Sequence, residues 1–370
     1  MRVVVAPDKF KGSASAAEAA AALAAGLRRV RPDLEIAEVP VADGGDGTVA
    51  AALAAGFAPV QVLAEGPVGE LVETTFGLRD GTAVIEMADV AGLRLLPAGF
   101  APLTASTYGV GQVIAAALDR GAIKIVLGIG GSATNDGGAG MVQALGVRLT
   151  DDGGCDVGRG GAALASLASV DPAGLDARIA ATSIMVASDV DNPLLGPLGA
   201  AAVFGPQKGA GPDEIEVLEL ALGRWAALTA SVTGTDVAAT AGSGAAGGTG
   251  FAALAYLGAR LVPGADLILS LIGFDATLAG AGLIVTGEGS LDRQSLGGKA
   301  PVGVARAAAS RGIPVAVVAG QVLLTDEELT GAGFAAAYSL ADFEPDLAIR
   351  IDHAAELLET AGGQIAAVIG

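Results

Sequence analysis

One repeating pattern constrains this chain most. Short β-branched runs recur, each followed by a glycine-bearing loop and then by an Ala- and Leu-rich stretch with helical spacing. A short, wholly apolar run reads as a strand buried on both faces, and an intervening helix lets successive strands pair in parallel. Residues 2–6 form the first such strand. Ser15 and Glu18 then supply the spacing of a capping box, which starts a helix ending near Arg31 and Pro32. Residues 35–41 are the next strand, and the pattern returns at 123–129, 283–286 and 314–319. Residues 57–90 break it: strand-like runs there are separated only by Gly66-Pro67 and Asp80-Gly81, which predicts an antiparallel piece. Pro212, followed by Asp213 and Glu214, opens a helix to about Thr229.

With 370 residues, the chain is long for one domain. The expected fold is α/β: a parallel Rossmann-like sheet domain, a second, mixed α/β domain, and a cleft between them. The expected layout is discontinuous, with residues 1–56, 107–182 and 281–370 in the first domain and 57–106 and 183–280 in the second.

Composition excludes several function classes. A net charge of -19 repels phosphate backbones and anionic headgroups, so neither nucleic acid nor a membrane surface is an expected partner. Two uncharged stretches, 95–118 and 237–259, are too rich in Pro, Gly and polar residues to span a bilayer. The first residues reach Asp8 and Lys9 before any signal-like apolar run, and a cytoplasmic location is expected. A single cysteine, Cys155, and a single histidine, His353, leave no internal disulfide, cysteine zinc site or multi-histidine metal site. Cys155 sits among acidic neighbours that disfavour a thiolate, so it is expected to be chemically idle.

The placement of lysine is informative. There are five, Lys9, Lys11, Lys124, Lys208 and Lys299, against sixteen arginines. Lys124 opens an apolar strand and reads as structural, whereas the other four lie in short segments rich in Gly, Pro or polar residues. A compact ammonium suits a point contact to phosphate, although exposed lysines also favour loops in general. Four Gly loops that carry carboxylates or amides follow predicted strands: Asp43 to Thr48, Gly128 to Gly138, Ser188 to Pro193, and Thr286 to Asp292. Ligands of open α/β sheets bind where parallel strands end and helices begin. Glycines there free backbone N–H groups for phosphate, and carboxylates hold Mg2+ together with phosphate oxygens. Any one of these loops could be an ordinary turn or N-cap. No P-loop occurs, because Gly298-Lys299 is followed by Ala300. Gly242-Ser-Gly244-Ala-Ala-Gly247 matches a dinucleotide fingerprint, but no clear strand precedes it, so a substrate grip or close packing is the better reading.

Taken together, these segments resemble the bacterial glycerate kinase family. The resemblance rests on residues 6–13, 40–48, 128–141, 188–196, 204–210, 242–250 and 286–301, in that order along nearly the whole chain. Asp46 stands where glutamate is common in the family, and Leu291 lies inside the Gly-Glu-Gly segment. The resemblance implies ATP- and Mg2+-dependent phosphorylation of D-glycerate, more often at the 2- than the 3-hydroxyl.

Residue chemistry then suggests roles within that activity. Asp189 and Asp43 are expected to hold Mg2+ or accept the hydroxyl proton, and Lys11 and Lys208 to offset charge. Gly130, Gly131, Ser132, Asn135, Asp136 and Lys299 are expected at the nucleotide. Asp8, Lys9, Asp46, Asn192, Glu288 and Asp292 are expected at the substrate. Two other classes remain: a nicotinamide-dependent hydroxy-acid oxidoreductase and a non-catalytic small-acid sensor. A homodimer is left open.

Overall fold

Thirteen strands follow one another in the computed structural model, which describes residues 1–97 and 99–369. They are β1 Arg2–Pro7, β2 Glu35–Glu38, β3 Ala58–Glu65, β4 Leu71–Arg79, β5 Thr82–Glu86, β6 Lys124–Gly128, β7 Arg148–Thr150, β8 Ser169–Asp171, β9 Ser183–Ala187, β10 Arg260–Val262, β11 Ala281–Leu291, β12 Val315–Val322 and β13 Ala336–Ser339. Contacts divide the chain into two units. One comprises Met1–Asp43, Ala50–Gly56 and Pro263–Gly370; the other comprises Gly44–Val49 and Phe57–Val262.

The first unit holds a wholly parallel sheet in the order β13-β12-β11-β1-β2. Numbered within the unit, this is 2-1-3-4-5, the flavodoxin-like order whose direction of winding reverses between β1 and β11. Side-chain alternation buries both faces. Val4, Ala6, Ile284 and Val317 pack on one side with Val304 and Ala305 of the helix Ala300–Ala309. Val3, Val5, Val285 and Val318 pack on the other with Leu23 and Leu27 of Ala16–Val30 and Leu358 of Ala354–Val368. The expected capping box at Ser15 and Glu18 is present.

The second unit holds a mixed sheet in the order β10-β9-β6-β5-β4-β3. The first four strands run parallel, and β4 and β3 add antiparallel, as the helix-free segment predicts. Trp225 stacks on Tyr256 at 5.5 Å and meets Phe251 edge-on at 6.1 Å, anchoring a core with Ile125, Leu127 and Val186. Antiparallel β7 and β8 form a separate ribbon, and Cys155 is exposed beside it. No helix among the described residues is long and apolar enough to cross a membrane.

Several expected boundaries change. Residues 107–182, expected with the chain ends, group with 57–262, because β6 lies between β5 and β9. Residues 183–262 belong there too, but 263–280 join the first unit. The strand expected at 283–286 runs on to Leu291, since its backbone continues to pair with β12 as far as Val322. The strand expected at 35–41 ends at Glu38, and the helix from Pro212 reaches Thr233.

Helices Ala16–Val30 and Ala354–Val368 approach closely at Gly26, where an added Cβ would lie 1.9 Å from the carbonyl oxygen of Glu359. Alanine gains up to about 1 kcal/mol of helix propensity over glycine, but here the obstacle is backbone, and overpacking costs roughly 1–3 kcal/mol. Gly26→Ala should therefore lower the urea midpoint without changing the far-ultraviolet spectrum. An equal or higher midpoint would contradict this packing.

Candidate active site

In the first unit, the parallel register of β1 and β11 pairs Pro7 with Gly287, so the next residues, Asp8 and Glu288, emerge at the same level. This is the reversal point of the sheet, where open α/β folds place ligands. Asp8 N donates to Gly287 O at 2.8 Å. Asp8 is only 3% exposed, and burial pushes its carboxyl up to about 7. Lys9, whose Nζ is 3.6 Å away, opposes that shift, while Asp43 and Glu288 reinforce it. The same ammonium lies 3.7 Å from Asp43 Oδ1.

Glu288, 6% exposed, is likewise raised by burial, with Ser295 and Lys299 pulling the other way. Lys299 Nζ stands 3.4 Å from Glu288 Oε2 and donates to Ser295 Oγ at 3.2 Å. Among the described residues, the buried Glu288 Oε1 has no hydrogen-bond donor. Three carboxylates and two ammonium groups thus converge on one sheet edge. Close backbone approach helps: an added Cβ on Gly289 would lie 3.1 Å from Lys11 N, and one on Gly320 2.4 Å from Gly289 O.

Other expected members of this unit sit differently. Asp292 Oδ1 accepts from Gln294 N and Ser295 N at 2.8 and 3.2 Å, so it closes a turn. Lys11 is exposed.

In the second unit, β5, β6 and β9 end level, with Glu86 opposite Gly128 and Gly128 opposite Ala187. The loops expected to bind ligand leave this edge, but much of their polar capacity is spent internally. Asp136 is fully buried; its carboxylate accepts from Thr107 N and Oγ1 and from the N–H groups of Gly138 and Gly140. Burial raises its pKa and these donors counteract the rise, so Asp136 fastens the start of the helix Ala139–Ala144.

Gly130 N donates to Gly44 O, Ala133 N to Ala91 O, and Gly137 N to Gly247 O. Ser132 is buried and bridges to Gly92, and Asn135 Nδ2 donates to Pro102 O. Gly131 remains exposed, with φ +71°, and a Cβ there would lie 2.9 Å from Asp46 Oδ1. Asn192 Nδ2 braces its own loop at Leu198 O, and Asp189 is exposed.

The dinucleotide-like glycines turn out to serve packing. Ala246, Gly247 and Gly248 all adopt positive φ, and a Cβ on Gly247 would fall 1.9 Å from Thr134 O. Lys208, expected to offset charge at the reacting groups, is 1% exposed and donates from Nζ to that same Thr134 O at 2.6 Å. Sequence reasoning missed Glu86 altogether. It is 5% exposed at the end of β5, and its Oε2 accepts from Gly47 N at 3.0 Å and Val49 N at 3.2 Å. Its one sequence signal is a carboxylate directly after an apolar run.

Residues 3–370 match the model of the glycerate kinase family. The chain is 46% identical to the glycerate kinase of Bacillus subtilis (strain 168), covering 100% of this chain and 98% of that one. It is 46% identical to the glycerate 2-kinase of Escherichia coli (strain K12), over 88% of this chain and 86% of the relative. The crystal structure of a Salmonella typhimurium LT2 protein proposed to be glycerate kinase 2 superposes with a TM-score of 0.85 at 44% identity, covering 99% and 97% of the two chains.

Burial of Lys208 has a measurable consequence. Burial pushes its pKa down to about 7, partly offset by Asp136. The folded state therefore binds fewer protons than the unfolded state between about pH 7 and the ordinary lysine range. Stability from this group should rise with pH across that window. The difference in unfolding free energy between wild type and Lys208→Met should climb by on the order of 1 kcal/mol per pH unit from pH 7.5 to 9.5. A flat difference would show that Lys208 stays charged in the fold.

Proposed function

Because the chain belongs to the glycerate kinase family, we propose that it transfers the γ-phosphoryl group of ATP to D-glycerate, releasing ADP and phosphoglycerate. The observation that carries this reading is the buried pair Asp8 and Glu288 at the reversal point of the parallel sheet, flanked by Lys9 and Lys299. Phosphoryl transfer asks a protein mainly for positioning and charge neutralisation. The glycerate hydroxyl oxygen bonds to the γ-phosphorus while the bond to the β–γ bridging oxygen breaks. Asp8, whose carboxyl is pushed up to about 7, is suited to accept the hydroxyl proton at neutral pH. Lys9 and Lys299 offset the negative charge that substrate and nucleotide bring. Lys11 is exposed next to this edge and is a proposed phosphate contact.

Mg2+ retains several waters and binds through one or two carboxylates plus phosphate oxygens. The donors here suit that mode. Among the described residues no group of three His, Cys, Asp or Glu side chains forms a metal cage, yet Glu288 keeps a buried oxygen without a protein hydrogen bond. Asp43, with Glu288 beside it, would hold the ion. When bound, Mg2+ supplies charge neutralisation at the phosphates. The 2-hydroxyl is the proposed acceptor, in line with the name of the E. coli relative. A cytoplasmic location fits a supply of ATP.

ADP release should require D-glycerate and Mg2+ together and should stop on addition of EDTA, and phosphorus NMR should show 2-phosphoglycerate. Equal ADP in all conditions would contradict the proposal. Tight NADH binding without ATP turnover would favour an oxidoreductase, and glycerate binding without ATP consumption would favour a sensor.

A further inference from the structure

Glu86 has no place in the chemistry just described, although its surroundings are built around it. It is the last residue of β5, directly after the buried run Ala83, Val84 and Ile85. Burying a carboxylate is unfavourable unless hydrogen bonds answer it. Here Oε2 accepts two backbone N–H groups, Gly47 at 3.0 Å and Val49 at 3.2 Å. Asp89 and Asp46 face it and oppose its charge, and Arg94 pairs with Asp89. A strand end needed only for packing would carry an apolar residue.

We propose that Glu86 is a positioning residue for phosphoryl transfer: it clamps the segment Gly44–Val49 from behind, so that Asp46 is held at the exposed turn of Gly131. This rests on the kinase reading above. Gly47 has φ +95°, and Thr48 closes the turn on Gly45 through both N and Oγ1. Those local bonds shape the turn itself. Gly130 N holds one end of the segment at Gly44 O at 3.3 Å, and Glu86 holds the other. Between the two anchors, Asp46 Oδ1 approaches Gly131 so closely that a Cβ there would lie 2.9 Å away. Without the second anchor, the start of the helix Thr48–Ala54 loosens at the end of β5, and the Asp46 carboxylate is held less firmly against Gly131.

The test uses the full-length protein and three variants. Glu86→Gln keeps an oxygen that can accept both N–H groups. Glu86→Asp keeps the charge but is one methylene too short. Glu86→Ala removes the acceptor. Amide hydrogen exchange over residues 44–49 reads the clamp directly, and steady-state kinetics read its consequence. Glu86→Gln should stay within about threefold of wild type in both. Glu86→Ala and Glu86→Asp should exchange roughly tenfold faster at these amides and lose roughly tenfold or more in kcat, with KM for ATP and D-glycerate within about threefold. Should Glu86→Ala fail to fold, Glu86→Asp carries the comparison.

A folded Glu86→Asp with wild-type kcat overturns the proposal. So does a Glu86→Gln that keeps its amides protected yet is as slow as Glu86→Asp, because charge and not acceptance would then be the requirement. If the wild type releases no ADP at all, the kinase reading fails by itself. The exchange data would still decide the clamp, since unchanged exchange in Glu86→Asp overturns it.

Discussion

Carboxylates taken out of water at the ends of parallel strands are the constraint around which this protein is organised. A buried carboxylate is tolerated only with partners, and its pKa rises until hydrogen bonds and cations offset the lost hydration. Asp8 and Glu288 meet that cost with Lys9, Lys299 and Ser295, and Glu86 meets it with two backbone amides. Such groups add little to folding, so their concentration at strand ends points to chemistry. The sheet of the first unit provides the platform, because its winding reverses between the strands that present Asp8 and Glu288.

Glycine and lysine do different work in the second unit from what their sequence contexts suggest. A Cβ on Gly247 would overlap Thr134 O, so the two glycine loops are packed backbone against backbone. Lys208 reaches the same carbonyl from within the core. Together with Trp225 Nε1 donating to Gly137 O at 3.0 Å, these contacts hold the segment 134–138 in one shape. Rigid support of this kind is what keeps a neighbouring exposed turn, here Gly131, in a reproducible position.

Much of this was legible in the sequence. Uniformly apolar runs announce parallel strands, and the capping box at Ser15 announces a helix start, because both are local signals. Asp8 and Lys9 were legible because a charged pair directly follows such a run. What stayed hidden is non-local. The runs at 2–6 and 123–129 look alike, yet the first pairs with β11 and the second with β5 and β9, so residues 107–182 fell on the wrong side of the expected boundary. Gly-Pro-Gln-Lys-Gly reads as exposed loop, and only tertiary packing buries Lys208. Composition cannot separate a glycine that admits a ligand from one that admits another backbone, which is why 242–250 reads equally as a substrate grip or as close packing. Glu86 is followed by Met87 and Ala88, so no glycine loop marked it.

Asp8 and Glu288 are proposed to carry phosphoryl transfer, and this role is the centre of the mechanism. It is tested most directly by kcat/KM for ATP-dependent phosphorylation of D-glycerate in Asp8→Asn and Glu288→Gln, with unfolding midpoints measured alongside. Losses of roughly a hundredfold or more are expected in each, with midpoints unchanged or higher, since each substitution removes a buried charge. Two folded variants within about threefold of wild type would contradict it.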